Sequence, residues 1–240
     1  MILLPAIDLF GKKCVRLFRG NYEEMTVYSE DPLGVALSIK ESGASWIHVV
    51  DLEGARLGTT PNLSVIQDIA AKSGLHVETG GGIRSLETIE TYLSIGVKRV
   101  ILGTKAIEDP AFLKEALEKF GAAVAVGVDA KHGKVATHGW TSVTDTDAVE
   151  FIISLKERGV KTVIATDISK DGAMAGTNLD FYRTLREIEN IDIIASGGVS
   201  SLDDIRALKE IGVYGAILGK AMYTGAVNVR EAITLLKEDA

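Results

Sequence analysis

The chain has 240 residues, 46% of them hydrophobic, a net charge of −7 and a single cysteine, Cys14. That length fits one α/β barrel or two average domains. The acidic balance excludes a broad nucleic-acid surface, a lone thiol excludes an internal disulfide and suits a reducing cytoplasm, and no stretch reaches the roughly 18 apolar residues of a membrane span.

Residues 1–5 lack the basic flank and cleavage site of a signal peptide and instead begin a predicted strand, 2–8, that ends on Asp8. A second strand, 46–51, ends on Asp51. A third, 76–79, runs into Gly80-Gly81-Gly82, and a fourth, 99–102, into Gly103-Thr104. The fifth, 124–129, and the sixth, 162–167, end on Asp129 and Asp167. The seventh, 192–195, precedes Gly197-Gly198, and the eighth, 215–218, precedes Gly219-Lys220. These runs are mostly continuous rather than alternating, as in parallel strands buried on both faces. Helical patterns separate them, one of them over 85–93 with Ser85 as N-cap and Gly96 as its stop. Eight strands, eight crossovers and no linker predict a single domain over 1–240, a closed (β/α)8 TIM barrel. A doubly wound open sheet is the alternative.

An internal repeat favours the barrel. GASWIHVVD (43–51) resembles GVKTVIATD (159–167), GGGIRSL (80–86) resembles SGGVSSL (196–202), and ILGTKA (101–106) resembles ILGKAM (217–222). The offset is 116 residues throughout (51 to 167, 81 to 197, 96 to 212, 103 to 219), and Ile7-Asp8 pairs with Val128-Asp129 at 121 (8 to 129). A period this long is half a barrel, so the halves are read as about 1–120 and 121–240.

Functional groups of such barrels lie at the C-terminal ends of the strands, so the four aspartates are expected to ring one mouth. Crowded carboxylates repel, and one of them takes a raised pKa suited to acid–base work. For Asp51 and Asp167 the favoured reading is a loop cap or a substrate-orienting group. For Asp8 and Asp129, at equivalent places on opposite sides, it is an acid–base pair. The glycines let backbone N–H groups approach an anion and lead into helix N-termini. With a net negative chain, phosphate must be held by such local devices. Two repeat-related cradles, after strands 3–4 and 7–8, imply a ligand with a phosphate at each end. Arg16, after strand 1, and Arg84 are candidate anion or hydroxyl partners, or else solvated surface arginines. Asp171-Gly172 lies in a small-residue loop (SKDGAMAGTN), and Trp140 stacks on a planar base or packs in the wall. His48 reads as a satisfied core histidine and Cys14 as inert. Four His and one Cys form no metal cluster of standard spacing.

The segments PAIDL (5–9), VDL (50–52), GGGIR (80–84), TDISKDG (166–172), ASGGV (195–199) and LGKA (218–221) closely resemble the isomerase family of the fourth step of histidine biosynthesis, the phosphoribosylformimino-aminoimidazole carboxamide ribotide (ProFAR) isomerases. The resemblance implies a cofactor-free Amadori rearrangement of a small bis-phosphorylated, sugar-nucleotide-like substrate; composition and patterning separately predict no nucleic acid, membrane or metal, and the absence of a long exposed apolar helix stripe predicts a monomer. The resemblance also implies Asp8 as base and Asp129 as acid, with Thr166 and Asp171 supporting. Arg16, Arg84 and Trp140 would bind substrate. Gly81, Gly82, Gly103, Thr104, Gly172, Gly197, Gly198, Gly219 and Lys220 would lie on its binding surface. Ala173 stands where the family often has threonine, and Glu78-Thr79 is not its most familiar version. The rival readings are the cyclase subunit of imidazole glycerol phosphate synthase, whose first strand usually reads Cys-Leu-Asp where this one reads Ala-Ile-Asp; a bifunctional isomerase that also accepts phosphoribosyl anthranilate; and a non-catalytic phosphate-binding barrel.

Overall fold

A computed structural model describes residues 1–18 and 20–238. All eight predicted strands are present: β1 (Ile2–Phe10), β4 (Trp46–Asp51), β5 (His76–Gly80), β6 (Arg99–Leu102), β7 (Val124–Lys131), β10 (Thr162–Asp167), β11 (Asp192–Ser196) and β12 (Gly215–Leu218). They pair in parallel in that order, and β12 returns to β1 through Ile2↔Gly215 to Pro5↔Leu218, so the sheet closes. The helices between them are α1 (Pro32–Glu41), α2 (Leu52–Leu57), α3 (Leu63–Lys72), α4 (Leu86–Ser94), α5 (Thr104–Glu108), α6 (Pro110–Phe120), α7 (Ala148–Glu157), α8 (Leu179–Arg186), α9 (Leu202–Ile211), α10 (Lys220–Tyr223) and α11 (Val229–Lys237). Among the described residues, no helix is long and apolar enough to cross a membrane.

Four further strands correct the reading of the loops after the first and fifth barrel strands. β2 (Lys13–Phe18) and β3 (Asn21–Ser29) extend β1 as antiparallel ribbons, and β8 (Lys134–Thr137) and β9 (Ser142–Asp147) extend β7. β3 and β9 are largely exposed, so they carry few apolar residues, and a search for continuous apolar runs passes over them. Each ribbon turns on two residues of positive φ, Gly11 (+56°) and Lys12 (+62°) in one, His132 (+50°) and Gly133 (+76°) in the other. Positive φ at both central positions is the two-residue turn whose twist matches a hairpin. Arg16 therefore lies in a strand, and Asp8 and Asp129 lie inside strands rather than at their ends.

The pleat sorts the barrel side chains into two layers, because successive residues of a strand face opposite sides. Leu4, Ala6, Ile101, Ala125, Ile164, Ile194 and Ile217 pack together in the interior. Their neighbours in sequence, among them Ile7, Val100, Val126 and Val163, pack outward with helix residues such as Ile39, Ile66, Ile89, Leu113 and Ile152. Burial of each such side chain contributes about 1.5–3 kcal/mol.

Candidate active site

The same alternation divides the four aspartates. Asp8 follows Leu4 and Ala6 on the inward face of β1, and Asp129 follows Ala125 on the inward face of β7. Asp51 and Asp167 have the opposite parity and face the helices. The expectation that all four ring the mouth is thus corrected: two do.

Asp51 is fully buried and caps α2. Its carboxylate accepts from the Gly54 N–H at 2.8 Å, the Asn62 N–H at 3.1 Å and the Asn62 side-chain amide at 2.7 Å. Asp167 accepts from the Ser169 N–H at 3.0 Å, its hydroxyl at 2.6 Å and the Asn178 amide at 2.6 Å. Asn62 and Asn178 were not singled out in the sequence, although they stand at the repeat offset of 116 (62 to 178) and each precedes a leucine that opens a helix. Asp51→Ala strips three buried donors of their acceptor, each worth about 1–3 kcal/mol when orphaned. The expected loss is about 3 kcal/mol, read as a fall in melting temperature of roughly 6–12 °C.

Asp8 and Asp129 have different surroundings. Arg16 Nη1 lies 2.9 Å from Asp8 Oδ2, and its Nη2 lies 3.9 Å from Asp171 Oδ1. Burial pushes the Asp8 carboxyl up, Arg16 opposes this, Asp171 adds to it and His48 opposes it. Burial also raises Asp129, opposed by hydrogen bonds from Trp140 and Thr166. Among the described residues no lysine or arginine forms an ion pair with Asp129. The register explains part of the contrast: Thr166 is the strand neighbour of Asp129, while Val50 is that of Asp8. Trp140 has φ +74°, is among the side chains that oppose the rise of Asp129, and packs its ring on Gly20, where a Cβ would stand 2.7 Å from Cε3. The sequence carries no local signal for this placement of Trp140.

The glycines fall into two kinds. Gly81 (φ +115°) and Gly82 (φ +72°) press on backbone: an added Cβ would lie 2.1 Å from the Asp51 carbonyl and 2.0 Å from the Gly54 carbonyl. Gly197 and Gly198 repeat this against the carbonyls of Asp167, at 2.7 Å, and Gly176, at 2.4 Å. Gly103 and Gly219 stand at the N-termini of α5 and α10, neither of which has a side-chain cap. Nothing lies within 4 Å of a Cβ on Gly103, whereas Arg16 lies across Gly219. The space among Arg16, Asp171, Gly172, Gly197, Gly198 and Gly219 is a cavity of about 20 Å³.

Three candidates have protein partners. The Thr104 hydroxyl accepts from the His138 N–H at 3.0 Å, and Lys220 donates to the Gly172 carbonyl at 3.1 Å. Arg84 is exposed and lies over Gly58, its guanidinium 3.4 Å from the Ala55 carbonyl. A larger hollow of about 520 Å³ lies away from Asp8 and Asp129, between the β7–β8 turn and the start of α8. Among the described residues no group of three or more His, Cys, Asp or Glu is placed to hold a metal. Cys14 is buried, and its thiol is pushed up to about 12 by that burial.

A family model described as "Histidine biosynthesis protein" matches residues 2–228. The chain belongs to this family. Among its relatives is the 1-(5-phosphoribosyl)-5-((5-phosphoribosylamino)methylideneamino) imidazole-4-carboxamide isomerase of Thermoanaerobacter pseudethanolicus, 47% identical over 99% of this chain and 100% of the relative. The protein of the same name from Ruminiclostridium cellulolyticum is 49% identical over 97% of this chain and 99% of its own. That from Acetivibrio thermocellus is 47% identical over 99% and 100%. Histidine biosynthesis family membership thus extends over the whole barrel, both ribbons included.

Proposed function

We propose that this chain is the isomerase that its relatives are named for, rearranging an N-glycosylated aminoaldose to an aminoketose. The observation that carries the mechanism is the difference between Asp8, paired with Arg16 at 2.9 Å, and Asp129, which among the described residues has no ion-pair partner and stands beside Thr166 in the ladder. An ionised carboxylate beside Arg16 suits a base, and a carboxyl raised by burial with no cation paired to it suits an acid. Asp129 gives its proton to the furanose ring oxygen. The C1–O bond breaks and leaves a C1=N iminium. Asp8 removes the proton from C2, and the C–H electron pair forms the C1=C2 bond while the iminium π pair returns to nitrogen. The resulting enolamine becomes the ketone as C1 gains a proton and the C2 hydroxyl loses one. No cofactor enters this scheme.

The relatives' printed name carries two phosphoribosyl groups. Two glycine cradles on opposite sides of the mouth, at a 116-residue offset (103 to 219), suit such a ligand. We further infer that the barrel is two copies of one half, near 1–120 and 121–240, and that the chain works as a cytoplasmic monomer. Turnover of ProFAR, followed by the absorbance change of the rearrangement, tests the assignment. Absence of turnover, or ammonia-dependent cyclisation in its place, would overturn it.

A further inference from the structure

The hollow of about 520 Å³ beside the β7–β8 turn plays no part in the scheme above. It is lined by the turn residues His132 and Gly133, by Ser169 and Lys170 of the loop after β10, and by Asn178 and Arg183 at the start of α8 and within it. Small-molecule sites span about 300–1,000 Å³, so the volume suits one. The corresponding place in the first half of the barrel is filled by the chain itself.

There the β1–β2 turn gives its Gly11 N–H to Glu53 Oε2 at 2.6 Å and its Lys12 N–H to Asn62 Oδ1 at 2.9 Å. Asn62 Nδ2 donates twice, to Glu53 Oε2 at 3.0 Å and to Asp51 Oδ1 at 2.7 Å. The Glu53 carboxylate thus ties the turn to the start of α3. The second half repeats this frame without the carboxylate. His132 and Gly133 follow Gly11 and Lys12 by 121 residues (11 to 132, 12 to 133), again with positive φ at both. Asn178 follows Asn62 by 116 (62 to 178), but the residue 116 after Glu53 is Ser169 (53 to 169). The Ser169 hydroxyl turns back to Asp167 Oδ1 at 2.6 Å. Asn178 Nδ2 donates once, to Asp167 Oδ2 at 2.6 Å, and its Oδ1 caps α8 through the Phe181 N–H at 3.2 Å. Among the described residues, the His132 and Gly133 N–H groups and the second Asn178 amide hydrogen have no partner. Lys170 is half-buried and its ammonium forms no ion pair among the described residues, whereas Arg183 is paired with Asp180 at 2.6 Å.

We propose that this hollow binds the carboxylate group of a small organic acid from solution, in the place that Glu53 fills in the first half. The two turn N–H groups and the Asn178 amide donate to its oxygens, and Lys170 supplies the opposite charge. Successive backbone N–H groups of a turn form a concavity suited to an anion, and hydrogen bonds to an ionised acceptor are about twice as strong as neutral ones. The bound carboxylate ties the β7–β8 turn to the start of α8, as Glu53 ties the β1–β2 turn to the start of α3. It therefore braces the ribbon that leads to Trp140. The site is independent of the rearrangement proposed above and stands or falls without it.

The test follows the backbone amides of the isotope-labelled chain by NMR in parallel titrations with sodium propionate, which is the glutamate side chain as a free molecule, with sodium phosphate and with sodium chloride. Propionate is expected to move the His132 and Gly133 resonances saturably, in the millimolar range, while those of Gly11 and Lys12, already engaged, stay fixed. Lys170→Ala is expected to weaken this binding roughly tenfold. Ser169→Glu places a carboxylate of the chain's own in the hollow, so it is expected to abolish the response to propionate and to raise the melting temperature by a few degrees. Absence of saturable movement at His132 and Gly133, equal movement with chloride (an adventitious ion only), or unaltered propionate binding in Lys170→Ala or in folded Ser169→Glu overturns the site. Tighter binding of phosphate at the same two amides overturns the carboxylate assignment. If Ser169→Glu does not fold, the titrations of the unaltered chain and of Lys170→Ala decide the result.

Discussion

Asp129→Asn is expected to lower turnover by roughly 10²–10⁴-fold while leaving the barrel more stable than the parent at pH 8. Asp8→Asn loses comparable activity and loses stability as well. Burial raises the folded-state pKa of Asp129 above its ordinary value of 3.8. A carboxyl shifted in that direction binds its proton more tightly in the folded chain, so its stabilising contribution is present below the unfolded pKa and is lost as pH rises through the folded one. Above that folded-state pKa the ionised group is buried, and among the described residues no lysine or arginine pairs with it. Asparagine keeps an acceptor for Trp140 and Thr166 and removes the charge. Melting curves at pH 5 and pH 8 read this directly: the variant's advantage over the parent grows with pH. Asp8 is also raised by burial, but its removal leaves Arg16, with a side chain 10% exposed, facing only Asp171 at 3.9 Å. A buried charge deprived of its partner costs about 3–5 kcal/mol, which outweighs the relief. Equal stability changes in the two variants would remove the asymmetry on which the acid and base roles rest.

Gly82→Ala is expected to destabilise the fold by about 4 kcal/mol, a drop of roughly 8–16 °C in melting temperature. Two costs combine. The residue holds φ +72°, which disfavours any side chain, and the new Cβ would stand 2.0 Å from a backbone carbonyl, which cannot move like the tip of a side chain. Gly81→Ala faces the same problem at 2.1 Å from the Asp51 carbonyl. Gly103→Ala is the contrasting case, since its Cβ meets nothing within 4 Å. It is expected to melt within a few degrees of the parent and to raise KM roughly tenfold, because the methyl group occupies the anion's place over the α5 N–H groups. A Gly103→Ala chain with unchanged KM would take that cradle out of substrate binding.

These contrasts show where the sequence was legible. The eight parallel strands stood out because both their faces are buried, and that same property hid which way each aspartate points: a continuous apolar run carries no mark of parity. Asp8 and Asp51 are therefore both expected at the mouth, although the repeat already assigns them different roles, and the packing of Leu4 and Ala6 beneath Asp8 is what shows that it alone of the two faces inward. The ribbons were missed for the opposite reason, since half-wet antiparallel strands contain charges. Their turns nonetheless repeat at the 121-residue offset of the catalytic candidates (11 to 132, 12 to 133). The buried link from His48 through Glu78 to Arg99 depends on strand register, which no local pattern encodes.

The two ribbons also bear on how tightly the mouth can hold its ligand. A wall made of irregular loop must be ordered when a ligand arrives, at about 1–2 kcal/mol of backbone entropy per residue. Here Arg16 and Trp140 stand on segments tied into the barrel's own hydrogen-bond ladder or directly beside it. That entropy is lost during folding rather than binding, and the interaction energy of the ligand is left for affinity and for straining it toward its transition state.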